Sequence, residues 1–129
     1  MLAPPPLHDP DMMRWAEPII HDVVSVSYAD LTDHPREVQF LIRCQTMLWR
    51  GLLSGTGSIA LFQDEVWRNA LRLGLGENRV AETNRQIVTE LMLVIATRYA
   101  RSPRQAALAS VQVAQAYGRL AGTMAQPQA

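Results

Sequence analysis

A chain of 129 residues fits one domain, large enough to bury roughly two thirds of the surface its unfolded form exposes, so it needs neither disulfide nor metal to hold it. Twelve basic and twelve acidic residues leave a formal net charge of zero, which excludes a global field of the kind that steers a protein to nucleic acid or anionic lipid. All twelve cations are arginine, and the lack of lysine removes Schiff-base chemistry and the phosphate-loop lysine.

Hydrophobic residues make up 48% of the chain and charged residues 19%. That apolar content exceeds what a small monomer requires, so part of it is expected to face a partner. Met1-Leu2-Ala3-Pro4-Pro5-Pro6 lacks the basic start and apolar core of a secretory signal, and no apolar run is long enough to span a bilayer. Together with the single cysteine, Cys44, this makes the cytoplasm the expected location, with no membrane span.

Residues 1–10 hold four of the eight prolines and read as a flexible, extended tail. A helix is expected over 11–31, with Asp11 as N-cap and Met12, Trp15, Ile19, Ile20, Val23 and Val24 at three- and four-residue spacing. Pro18 predicts a kink or break in it, and the β-branched run around Val24 admits a short strand as the competing reading. Pro35 at a first helical turn and Glu37 beside it open a second helix over 35–53. Its stripe is Val38, Leu41, Ile42, Gln45, Leu48, Trp49 and Leu52, with Gln45 the polar interruption and with Phe40, Cys44 and Met47 widening the buried face.

Gly51, Gly55 and Gly57 then break the chain. Glycines before a helix invite a phosphate-cradle reading, but without the lysine and a preceding strand they read as a connecting loop. Ser58 caps a third helix over 58–73, with Ile59, Phe62, Val66, Ala70 and Leu73 on its inner side and Leu61, Trp67 and Leu71 extending it. Gly74 is its left-handed C-cap.

The fourth helix, 78–101, carries Val80, Asn84, Ile87, Val88, Leu91, Met92, Ile95 and Tyr99 as its stripe. Its second half contains the most apolar run of the chain, Leu91 to Ala96, which points nearly all round the axis. That half should therefore be central or at an interface, with no broad wet face. Ser102-Pro103 opens the fifth helix, 103–123, made mostly of small residues with Leu108, Val111, Val113, Tyr117 and Leu120 between them. Residues 125–129 read as a flexible end. The fold class expected is thus all-α: a single-domain bundle of about five helices over 11–124.

No catalytic, metal-binding or nucleotide-binding pattern stands out, so neither an enzyme nor any cofactor or metal is expected. His8, His21 and His34 lie far apart, and Glu17 with His21 is the one metal-spaced pair. Glu17, His21 and Asp22 are the densest titratable group and read as a solvated helix face. Cys44 reads as a small buried hydrophobe.

Three functional readings remain. The first is an adaptor acting through helix-helix contacts, a self-associating module and most simply an isologous homodimer, with Met92, Leu93, Ala96 and Tyr117 at the contact. The second is a transcriptional regulator using a helix-turn-helix-like unit over 66–88. There Ala70, Gly74 and Val80 supply the spacing, and Arg79, Asn84, Arg85 and Gln86 the base-contacting types. The third is a small-molecule-sensing bundle lined by Trp15, Trp49, Trp67 and methionines.

Overall fold

The computed structural model describes residues 11–55 and 59–125, and side chains up to 120. The expected proline-rich tail, the Ser58 cap and the last four residues lie outside it. Five helices follow in order: α1 (Met12–Ser27), α2 (Pro35–Ser54), α3 (Ile59–Arg72), α4 (Glu77–Arg98) and α5 (Pro103–Ala125). Among the described residues there is no strand. The all-α bundle of five helices is the fold.

The local signals act where the sequence put them. Pro35 and Pro103 each occupy a first helical position, where a missing N–H costs nothing because that donor has no intrahelical acceptor. Gly74 takes φ +73°, and the Leu75 N–H reaches back to the Ala70 carbonyl at 2.9 Å, a Schellman closure that tucks the buried Leu75 under the helix end. In α1 the helix runs unbroken through Pro18, so of the kink or break expected there no break occurs. One expectation is corrected: the helix ends at Ser27 rather than near 31, because Tyr28 leaves helical geometry and turns its ring fully into the core.

Packing arranges four helices in a ring: α1 lies on α2, α2 on α5, α5 on α4, and α4 returns to α1. Trp15 near the start of α1 meets Tyr99 just after α4, and Ser27 at the end of α1 meets Arg79 at the start of α4, so those two helices run antiparallel. α3 has α2 as its one extensive neighbour.

The most enclosed helix is α2. Val38, Leu41, Ile42, Cys44, Leu48, Trp49, Leu52 and Leu53 are all buried, spread over most of its circumference because α1, α3 and α5 cover it from three sides. The apolar run of α4 is not the centre. Leu91 and Ile95 are buried and Met92 and Val94 half-buried, but Leu93 and Ala96 face outward, since α4 has packed helices on two flanks only. The expected absence of a wet face on that half is therefore corrected. For the same reason Leu61 and Leu71, opposite the Gln63–Val66–Ala70 line that α3 lays on α2, stay exposed, as does Phe40 on α2.

Candidate functional site

The four residues picked for a partner contact divide between core and surface. Met92 and Tyr117 are half-buried against the core, while Leu93 is 58% exposed and Ala96 is exposed. On α5, helical register places Ala107, Val111 and Ala114 on the side turned outward beside α4, and all three are exposed. Tyr117 lies within electrostatic reach of Arg85, in keeping with α4 and α5 packing as antiparallel neighbours, and Leu93 and Val111 each point away from the buried line of their own helix. Val111 is 43% and Leu108 38% exposed.

These outward sides are also nearly free of charge. Between Gln105 and Gly118, α5 carries no ionisable side chain other than Tyr117, and the exposed positions of α4 between Gln86 and Thr97 are Thr89, Leu93 and Ala96. Glu90, one turn before Leu93, is half-exposed and accepts a hydrogen bond from Gln86 Nε2 at 3.3 Å. Sequence reasoning found Leu93 and Ala96 but missed Val111 and Leu108 as surface residues. The uncharged stretch of α5 was the signal that could have found them.

The second group of residues, Arg79, Asn84, Arg85 and Gln86, does not form a common reading surface. Asn84 is only 2% exposed. Its Oδ1 accepts hydrogen bonds from Gln45 Nε2 and Trp49 Nε1, both at 2.9 Å, and the Tyr28 hydroxyl donates to Gln45 Oε1 at 2.8 Å. The result is a buried polar chain joining the residue that follows α1 to α2 and α4. Burial pushes the Tyr28 phenol above its ordinary value, an effect that hydrogen bonding to Thr83, the nearby Arg79 charge and the Gln45 bond only partly oppose.

Arg79 covers this chain from outside. Its guanidinium ion-pairs with Asp30, donates to the Ser27 carbonyl at 2.9 Å and stands 5.8 Å from the centre of the Tyr28 ring. The hydrogen bond from Arg79 holds the Asp30 carboxyl below its usual range. Arg85 turns back on its own helix to Glu82 at 2.5 Å, and Gln86 is exposed and bonded to Glu90. An open cleft of about 550 Å³ lies among Ser27, Arg79, Glu82, Thr83 and Arg85. The two arginines on its wall each already hold a carboxylate.

The remaining candidates are quickly placed. Cys44 is buried, which together with the Glu65 charge raises its thiol above the ordinary value and disfavours the reactive thiolate. Glu17 pairs with Arg50 at 3.7 Å and His21 points to solvent. Trp49 is sealed in the polar chain, Trp15 stacks edge-on with Tyr99 at 6.4 Å, and Trp67 lies half-buried on α3. A second open cleft, of about 620 Å³, lies between the end of α2 and α5, and neither cleft is lined by a tryptophan. No group of three or more His, Cys, Asp or Glu among the described residues is placed to hold a metal ion, and no helix among them is long and apolar enough to cross a membrane.

Compared with known proteins, the chain matches no family model, no curated sequence and no solved structure.

Proposed function

We propose that the chain is a non-enzymatic interaction module that self-associates through the outer face of α4 and α5. One observation carries this reading: Leu93 on α4 and Val111 on α5 stand exposed on outward strips whose other exposed residues are small and uncharged, Thr89 and Ala96 on α4 and Ala107 and Ala114 on α5. Charge depletion at the centre of a patch is what separates contact surfaces from the rest of a protein's exterior. Small residues let the axis of a facing helix approach closely.

The test is the oligomeric state of the intact chain. Light scattering over a range of concentrations should give a mass above that of the monomer, and Leu93→Glu with Val111→Glu should return it to the monomer while circular dichroism keeps its helical signal. A wild-type chain that stays monomeric at every concentration would sink the reading.

The base-reading alternative has less to stand on. It requires Asn84 to leave a buried hydrogen-bonded site, and Arg79 and Arg85 to exchange their carboxylates for phosphates against the charge of Glu77 and Glu82. Binding to duplex DNA that weakens steeply with salt would favour it over self-association.

A further inference from the structure

Of the five helices, α3 is held least firmly. Its buried residues are Gln63, Val66, Asn69 and Ala70, so half of that line is amide and Val66 is its one sizeable apolar side chain. Ile59, Phe62 and Trp67 are only partly covered. Neither amide bonds across to α2. Asn69 donates to the Glu65 carbonyl of its own helix at 2.6 Å, and Gln63 Oε1 is buried without a hydrogen-bond partner, which costs free energy for as long as the helix stays docked. The ring of α1, α2, α5 and α4 closes without α3. Gly55 and Gly74, which bracket it, take φ of 70° and 73°; glycine populates either sign of φ, so the turns at both ends can rotate without breaking a helix.

What α3 covers is the side of α2 that carries Cys44. On α2, Gln45 faces Asn84 of α4 and Arg50 faces Glu17 of α1. Cys44 points at least a quarter-turn away from each, toward Glu65 of α3, whose charge reaches the thiol, and it is 6% exposed. We infer that α3 is a lid: it lifts from α2 as a unit while α1, α2, α4 and α5 stay packed, and each opening uncovers the Cys44 thiol. The motion belongs to the single chain and stands apart from self-association through α4 and α5. A helix of 14 residues is marginal in water by itself, so once lifted α3 also loosens, and its free energy of opening is a fraction of that for unfolding the whole molecule.

Because the chain has a single cysteine, alkylation of the intact protein by iodoacetamide reports the opening directly. The labelling rate is followed at one protein concentration and at urea concentrations below the unfolding transition. A lid gives a rate well above the one set by global unfolding and nearly flat in urea, since its opening exposes little surface. Gln63→Met keeps the length of the side chain but removes the orphaned oxygen, and should slow labelling roughly tenfold. Val66→Ala should speed it by a similar factor. Asn84→Leu, which weakens the ring and does not touch α3, should label like wild type. A rate that follows global unfolding with its full urea dependence, and rises in Asn84→Leu, overturns the lid. Rapid labelling indifferent to Gln63→Met and Val66→Ala overturns it as well, because the thiol is then within reach with α3 in place. Should Val66→Ala not fold, Gln63→Met and the urea dependence decide alone.

Discussion

Asn84 and Gln45 were the two polar residues in otherwise apolar stripes, and the structure pairs them with each other. The sequence made each interruption visible, and the mistake was to give Asn84 a second role at the surface. Its place in line with Val80, Ile87 and Leu91 already pointed inward, whereas its partner, 39 positions away, could not be read without knowing how α2 crosses α4. Asn84→Leu leaves the Trp49 indole N–H and the Gln45 amide buried without their acceptor, and should cost about 3 kcal/mol, read from the urea midpoint. Pairing it with Gln45→Leu should recover part of that loss, because removing both partners costs less than orphaning one. Tyr28 adds a pH dependence. Its folded pKa is raised from 10.0, so its contribution is complete below about pH 10 and is lost as pH climbs toward the folded value. Tyr28→Phe should accordingly lose stability at neutral pH while showing a shallower alkaline decline than wild type in the same titration.

At the scale of the elements, the helix boundaries were the most legible part of the fold, because prolines and glycines act locally: Pro35, Gly74 and Pro103 each stand where they were read. What closes the other ends was hidden. Neither α1 nor α2 has a basic residue in its own last turn, and each receives one from another helix. Arg79 donates to the last carbonyl of α1, and Arg119 to Leu52 at 2.5 Å, beside a bond from Gln112 to Leu53 at 2.9 Å. A guanidinium satisfies an orphan carbonyl and meets the negative end of the helix dipole at once. Arg119→Met should therefore lower stability by about 1 to 2 kcal/mol while leaving far-UV circular dichroism almost unchanged, with faster hydrogen exchange confined to the last turn of α2. Exchange accelerated evenly over the whole chain would contradict a local capping role.

For the whole molecule, the number of helices was readable but the choice of centre was not. Mean apolarity singled out Leu91 to Ala96, yet centrality depends on how many neighbours a helix has, and α2 has three where α4 has two. That difference leaves Leu93 bare and creates the face on which the proposed function rests. If copies associate there, burial of Leu93 and Val111 ties folding to concentration. The melting temperature should then rise with protein concentration, and that rise should vanish in the Leu93→Glu, Val111→Glu chain.

The arginine closures also bear on the order in which the molecule can be completed. Arg79 and Arg119 lie 52 and 67 residues beyond the carbonyls they close, so during synthesis α1 emerges from the ribosome with its end open until α4 has been made, and α2 with its end open until α5 has been made. The early helices can form on their own local signals, but the bonds that close their ends belong to the docked bundle and form only when α4 and α5 pack.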